Sequence, residues 1–442
     1  MVAPFGFPLD LLSHLLDNFM HNASENNVGH FAGISIVDLA QRHGTPFFAY
    51  DRAVIEKRIS ELKQFDVIRY AQKASSNLVL LALMRKSGVV VDAVSAGEVE
   101  RALRAGFRAD TTPPGIVFTA DLFDTDAAEA VRTHKLEVNV GSPDMITQVG
   151  KLYPGAPVIL RINPGFGHGH SRKTNTGGEW SKHGIWHSQL EECLKLGREA
   201  GVKIHGLHMH IGSGTDFEHL AQVCGSMVKA AKVLGADLEV ISAGGGLPIP
   251  YHKEQPRIDT EAYFHLWDKA RKEIEENAGH AVRLEVEPGR YLVAESCVLV
   301  TQIRSIKKVE DNVFYMVDAG FDTLVRPAMY GSYHDISIVA ADGRALTQEQ
   351  DVVVAGPLCE SGDVFTQEEG GVVVTRRLPV AQVGDYLVLH DAGAYGAAMS
   401  SNYNTRRLAP ELLITEGTDT VIRARQSYDH ILQFEQIPED LK

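Results

Sequence analysis

The chain has 442 residues, 44% of them hydrophobic, enough for two or three domains or for one large barrel with an appendage. A formal net charge of −14 leaves no basic face for phosphate-rich partners, which excludes nucleic acid. Cys193, Cys224, Cys297 and Cys359 are too widely spaced for a disulfide framework or a zinc pattern. No run reaches the ~18 consecutive apolar residues of a membrane span, and residues 1–10 lack the features of a signal peptide. A soluble cytoplasmic protein without a membrane or nucleic-acid partner is expected.

In chain order, residues 31–50 carry a short helix pattern that ends in the apolar run 46–50, expected to join a second domain. From about 66 to 290, short β-branched runs alternate with longer amphipathic stretches. Strands are predicted at 66–71, 89–94, 116–119, 136–140, 158–162, 205–211, 238–242 and 282–287. Helices are predicted between them, at 77–86, 97–105, 189–200, 220–234 and 261–276. This suits a (β/α)8 TIM-like barrel, although a doubly wound open sheet has the same periodicity. The unusual residues separate the two. Lys73 follows the first strand, Asp92 nears the end of the second, Asn163 follows the fifth, and His210 ends the sixth. Gly244, Gly245 and Gly246 follow the seventh strand, while Glu287, Gly289 and Arg290 end the eighth. A barrel gathers such positions on its C-terminal rim, whereas an open sheet scatters some of them.

Beyond residue 291, strands at 298–306, 313–317, 351–354, 371–375 and 385–390 with little helical pattern predict a β-domain. The expected organisation is therefore α/β, with the barrel over 51–296 and a C-terminal β-domain over 297–442, partly joined by 1–50.

Several segments carry chemistry. Lys73 sits just past an apolar strand among small residues, where an amine is desolvated enough to act as a nucleophile; an isolated lysine there is ordinarily a surface side chain. Three consecutive glycines let backbone amides approach a phosphate, or simply make a tight turn. Glu287 at a strand end suits a carboxylate that keeps a heteroaromatic nitrogen protonated, or one that faces water. His208 and His210 share a strand face, and His168 and His170 lie two apart, but no third ligand has a convincing spacing, so no metal is expected. His210 is better used stacked on a planar cofactor, and His208 as a satisfied core residue. Cys359, in a polar loop between glycines and beside Glu360, suits a proton donor. Arg326, in RPAMY with Tyr330, suits bidentate binding of a carboxylate, and DAGAYG at 391–396 would expose the Tyr395 hydroxyl.

Together, TGGEWSKHGI at 176–185, HMHIGSG at 208–214, EPGR at 287–290, CESGD at 359–363 and GAYG at 393–396 resemble the fold-type III pyridoxal-phosphate decarboxylases, within them the bacterial branch acting on meso-2,6-diaminopimelate. The resemblance spans about residues 46–410 and implies the alanine racemase-like fold, a barrel followed by a β-domain. It implies pyridoxal 5'-phosphate held as an imine by Lys73, with His210 stacked on the ring and Glu287 paired with its nitrogen. Asp92 and Ser213 would also meet the cofactor, and Gly244, Gly245, Gly246, Gly289, Arg290 and Tyr395 would surround its phosphate. Arg290, Arg326, Tyr330 and Tyr395 would recognise the distal carboxylate end of an amino-acid substrate, and Glu360 its distal ammonium. Cys359 would protonate the carbanion. In this family Cys359 and Glu360 come from the partner subunit, which implies a homodimer with shared active sites.

The implied reaction is meso-2,6-diaminopimelate to L-lysine and carbon dioxide, the last step of lysine biosynthesis. Decarboxylation of ornithine, arginine or a carboxylated polyamine is the alternative within the fold. A relative that only binds partners is the alternative outside it, and Lys73, Glu287 and Cys359 together count against that. Two positions depart from the family: Ser75 where asparagine is common, and His183 where phenylalanine is common.

Overall fold

The structure, a computed structural model, describes residues 29–167, 177–210 and 216–442. Ser213, His168 and His170 lie outside the described residues. Strands of three or more residues are numbered in chain order. Strand β1 is Phe47–Asp51, and the barrel strands follow as β2 Val67–Ala71, β3 Val90–Ala93, β4 Ile116–Ala120 and β5 Glu137–Val140. The series continues with β6 Pro157–Asn163, β7 Lys203–His208, β8 Val240–Ser242 and β9 Arg283–Val286.

Each barrel strand pairs in parallel with the next, β6 with β7 included, and β9 returns to β2 through Glu285↔Val67 and Val286↔Ile68. The ring is closed, which rejects the open sheet. Helices make the crossovers, and their starts are written in the sequence. Asp51, Asn77, Ser95, Asp124, Asp216 and Asp259 each accept a first-turn amide with the side chain, a cap worth about 1 kcal/mol apiece.

Side chains alternate along the strands with a period of two. Ile68 and Tyr70, Val91 and Ala93, Leu160 and Ile162, Leu284 and Val286 are buried in the apolar core. The intervening positions are buried and polar: Arg69, Asp92, Thr119, Asn139, Arg161, His208, Ser242 and Glu285. Arg69 pairs with Glu285 at 2.9 Å, each 1% exposed, and His205 pairs with Glu137 at 3.2 Å. Enclosed pairs of this kind do not outperform apolar packing, but losing one partner costs about 3–5 kcal/mol. The barrel floor is thus ionic, and the site sits above it.

The second sheet is built on β10, Cys297–Val309, which pairs with β11 Asn312–Val317 and β15 Tyr386–Leu389. Strand β12 Ile336–Val339 pairs with β15, while β13 Glu349–Ala355 and β14 Arg376–Pro379 extend the β11 side. Strand β1 lies between β10 and β16 Glu411–Thr415, and β17 Thr418–Arg423 forms the edge. Phe47 and Ala49 face one apolar cluster with Ile36, Leu39 and Val298, whereas Phe48 and Tyr50 face the main core.

Some local predictions shift. The strand expected at 371–375 shrinks to the exposed pair Val372–Val373, because Gly370 and Gly371 turn with positive φ just before it. The sheet strand is the next segment, Arg376–Pro379, whose Leu378 is buried. The strand expected at 205–211 ends at His208, so His210 lies just past the ladder. The β16–β17 hairpin, which turns at Glu416–Gly417 with positive φ at both residues, is an addition to the predicted strands.

Candidate active site

A cavity of about 820 Å³ opens over the C-terminal ends of the barrel strands. The barrel contributes Lys73, Asp92, His210, Gly245, Gly246, Glu287, Gly289 and Arg290 to its wall; the β-domain contributes Arg326, Tyr330 and Tyr395. Gly244 lies behind that wall, and Cys359 and Glu360 are exposed residues elsewhere on the same chain.

Lys73 is carried on a single helical turn, Gln72–Ala74, directly after β2. The turn is tied on both sides: the Ala71 amide donates to Pro288 O at 3.1 Å, and the Tyr395 amide donates to Ala74 O at 2.8 Å. Tyr395 has φ +60, an uncommon backbone state for a residue with a Cβ, so this contact is held at some strain.

Glu287 follows β9 and is anchored at both oxygens. His208 Nε2 lies 2.9 Å from Oε2, and the Ser242 hydroxyl donates to Oε1 at 2.7 Å. The Gly244 amide donates to Ser242 Oγ at 3.1 Å, which turns that hydroxyl's own hydrogen toward the carboxylate. Burial alone would raise the Glu287 pKa; the His208 imidazole, the Ser242 hydrogen bond and Arg69 outweigh it and hold the carboxyl at about 2.

The folded state therefore binds this proton more weakly than the unfolded chain does. Glu287 stabilises the fold above its usual value of 4.5, and the contribution is lost as the pH falls toward about 2. In His208→Ala burial is less opposed and the carboxyl rises. The melting temperature is expected to fall below that of the parent near about pH 5, and the gap to narrow toward about pH 2. A gap of constant size across that range in thermal melts would contradict the pairing.

His210 Nδ1 accepts the Gly245 amide at 3.0 Å, which leaves the ring hydrogen on Nε2. Burial, then the charges of Arg161 and Lys73, push its pKa well below the usual value, so the ring is neutral. Asp92 moves the other way: burial and then Glu287 raise its pKa well above the usual carboxylate value. The two carboxyl groups are thus shifted in opposite directions within one site.

The glycine loop presses on both groups. A Cβ on Gly244, whose φ is +65, would lie 2.5 Å from Met209 O, and one on Gly245 would lie 2.5 Å from Glu287 O. The Gly244 and Gly245 amides are spent on Ser242 and His210.

On the β-domain side, the Arg290 guanidinium donates to Tyr251 Oη at 2.7 Å and lies 5.2 Å over the Tyr395 ring. Arg326 Nη1 is 2.9 Å from His334 Nε2, and its guanidinium lies 4.8 Å over the Tyr251 ring. Burial and then Arg326 hold His334 at about 3; it is neutral and accepts at Nε2, while Nδ1 donates to His390 O at 2.8 Å. Arg326 is buried and Arg290 half-buried, and among the described residues neither pairs with a carboxylate.

Asn163 organises the loop above the rim. Its Oδ1 accepts the Gly165 and Gly178 amides, both at 3.0 Å, and its Nδ2 donates to His183 O at 3.3 Å. His183 lines the cavity and binds Asp121 at 2.5 Å, so this position does touch the site. Sequence reasoning passed over Arg161, Ser242 and Tyr251 and placed His208 in the core as a bystander. The signal that could have found the first two and His208 is their place near the C-terminal ends of β6, β7 and β8, on the rim that carries the other candidates.

The donor set fits a pyridoxal phosphate. An amine opens on the cavity, an ionised carboxylate is fixed by two partners, a neutral flat ring lies beside it, and the Gly244–Gly245 turn has no room for a Cβ. Among the described residues no group of three His, Cys, Asp or Glu is placed to hold a metal ion, and no helix is long and apolar enough to cross a membrane.

Barrel, lysine and ionised carboxylate define a class of enzyme, and the comparisons agree with it. Residues 52–294 match the family described as pyridoxal-dependent decarboxylase, pyridoxal binding domain. The chain is 55% identical over 403 residues to the diaminopimelate decarboxylase of Escherichia coli (strain K12), covering 91% of this chain and 96% of that protein. It resembles a crystal structure of diaminopimelate decarboxylase with TM-score 0.88 and 55% identity, covering 90% of this chain and 95% of the other. The Helicobacter pylori diaminopimelate decarboxylase complexed with L-lysine matches with TM-score 0.78 at 30% identity, covering 90% and 98% of the two chains. The chain belongs to the pyridoxal-dependent decarboxylases of the alanine racemase-like fold, in their diaminopimelate decarboxylase branch. Its cofactor is pyridoxal 5'-phosphate.

Proposed function

We propose that the chain removes one carboxylate of meso-2,6-diaminopimelate, giving L-lysine and carbon dioxide as the last step of lysine biosynthesis, and that it works in the cytoplasm as a homodimer with shared active sites. The observation that carries the substrate reading is the pair Arg290 and Arg326, enclosed in the cavity that also holds Lys73 and unpaired with any carboxylate of the described chain. A cavity that encloses two cations this way favours a substrate with a second carboxylate.

When bound, the cofactor supplies a ring that takes up the electron pair left by the departing carboxylate. Lys73 Nζ is its anchor. Glu287, held ionised by His208 and Ser242, would keep a proton on the cofactor's ring nitrogen. The neutral His210 ring would lie against the bound cofactor and shield it from water, with Asp92 nearby, and Gly244, Gly245, Gly246, Gly289, Arg290 and Tyr395 would hold its phosphate. Arg290, Arg326 and Tyr330 fix the distal carboxylate and so orient the reacting carbon.

Cys359 and Glu360 are read as contributions from a second copy. In their own chain they are exposed and off the cavity: the Cys359 amide is bound by Asn404 Oδ1 at 3.1 Å, and Glu360 accepts the Tyr403 hydroxyl at 2.5 Å. There Cys359 Sγ delivers one proton to the substrate carbon, and Glu360 meets the distal ammonium.

Purified protein with added cofactor is expected to release equimolar lysine and carbon dioxide from meso-diaminopimelate and to leave ornithine largely unreacted. Turnover of ornithine with none of diaminopimelate would sink the substrate reading. Mixed Lys73→Ala and Cys359→Ala chains, refolded together, are expected to regain activity that neither variant has alone, because one hybrid site is intact. A mixture as inactive as its components would refute shared sites.

A further inference from the structure

The β-domain holds a buried carboxylate that the reaction scheme above leaves without a role. Glu411, the first residue of β16, is 2% exposed. Its Oε2 accepts the Tyr50 hydroxyl at 3.0 Å, its Oε1 accepts Asn77 Nδ2 at 2.9 Å, and Arg423 Nη1 forms an ion pair with Oε1 at 3.1 Å. Tyr50 comes from β1 and Arg423 from β17, so two of the three partners belong to the β-domain sheet. The third does not. Asn77 lies four residues beyond Lys73, and its Oδ1 caps the following helix, Leu78–Lys86, through the Val79 amide at 2.9 Å. One asparagine therefore joins the start of a barrel helix to a carboxylate in the other domain.

The residues between are held in the same direction. Tyr50 Oη lies 3.4 Å from Ser75 Oγ, the Tyr70 hydroxyl donates to Ser75 O at 2.8 Å, and Arg101 donates to Ser76 O at 2.8 Å. With the Tyr395 amide on Ala74 O, every residue from 74 to 77 has a fixed polar contact. Among the described residues Lys73 itself has no hydrogen bond or ion pair, only its place on the turn. Its position is set by what holds the residues behind it.

We propose that Glu411 is a positioning residue for the decarboxylation: it clamps the Lys73 turn to the β-domain through Asn77, so that the amine and the β-domain residues Tyr395 and Arg326 keep a fixed relation. This rests on the reading of Lys73 as the cofactor anchor. Removing the carboxylate frees Asn77 Nδ2, Tyr50 Oη and Arg423 from a shared acceptor in an enclosed place, and the turn is then free to shift. A displaced nucleophile loses rate steeply with distance, whereas the substrate-binding arginines stay where they were.

The test uses the full-length holoenzyme with three variants: Glu411→Ala, Glu411→Gln and Asn77→Ser. Serine still caps the helix but cannot donate to Glu411 in the same way, so this variant removes the clamp if Glu411→Ala fails to fold. Cofactor affinity is read by titrating cofactor-free protein with pyridoxal 5'-phosphate, and the attachment point by borohydride reduction and peptide mass spectrometry. In Glu411→Ala and Asn77→Ser, kcat and cofactor affinity are each expected to fall by about tenfold or more, with KM for diaminopimelate within about twofold of the parent. Glu411→Gln, which keeps an acceptor oxygen, is expected to recover part of the loss. Variants that melt earlier but keep the parent's kcat and cofactor affinity would make Glu411 purely structural and overturn the proposal. Label on a residue other than Lys73 in the parent would instead overturn the reading beneath it.

Discussion

Lys73→Ala is expected to abolish covalent attachment of the cofactor and to lower turnover by roughly 10⁴-fold or more, on the scale of losing a covalent nucleophile. The side chain is exposed to the cavity and forms no ion pair among the described residues, so its removal costs the fold little, within about 0.5 kcal/mol. Chemistry and stability should therefore separate. The melting temperature of the cofactor-free variant stays with that of the parent, while the visible absorbance of attached cofactor disappears. A variant that kept this absorbance and turned over would place the anchor on another residue and remove the basis of the proposed chemistry.

The second large effect belongs to Arg326→Ala. Arg326 is 5% exposed, and burial pulls its pKa down, so the guanidinium stands in the cavity wall at some cost. That cost is recovered only when an anion arrives. Truncating one partner of such a pair removes about 2–5 kcal/mol, or roughly 30- to 4,000-fold in kcat/KM for diaminopimelate. Ornithine, which has no distal carboxylate, should lose far less, so the preference between the two substrates narrows. Equal losses on both substrates, measured as kcat/KM, would mean that Arg326 holds the cavity together rather than reading the substrate. Arg326→Lys is not expected to restore the parent value, because a lysine offers no planar fork for bidentate bonding.

The barrel was legible because its two signals agree. Short β-branched runs repeat at an even spacing, and the chemically unusual residues fall where those runs end, which only a closed barrel makes functional. Lys73, Asp92, His210, Glu287 and Arg290 could be picked for that reason, and the structure brings them into one cavity. Less legible was the interior. Arg161, His208 and Ser242 stand near the ends of strands whose preceding same-face residues, Ile159, Gly206 and Val240, are non-polar, so no polar run in the sequence marks them. His208 illustrates the difficulty: with no neighbour in sequence to explain it, a core histidine was the plain reading. Its partner Glu287 lies just past the end of another strand, a relation that the closed ring creates. The β-domain was least legible, since its strands pair across large gaps in sequence and Gly370–Gly371 moved one of them by several residues.

Strand β1 also bears on how the protein comes to be made. It precedes the barrel, yet in the sheet it sits between β10 and β16, with Phe48 opposite Glu411. The barrel is in effect an insertion within a single sheet. During synthesis β1 must wait for the whole barrel to emerge before β10 can pair with one of its edges, and longer still for β16 to pair with the other. Closing so long a loop is slow, and the waiting strand is a site for association with other chains. Because Tyr50 of that strand is one of the donors to Glu411, the turn bearing Lys73 takes its final form only with this last pairing. A nascent barrel can thus be complete in outline while its amine is not yet set.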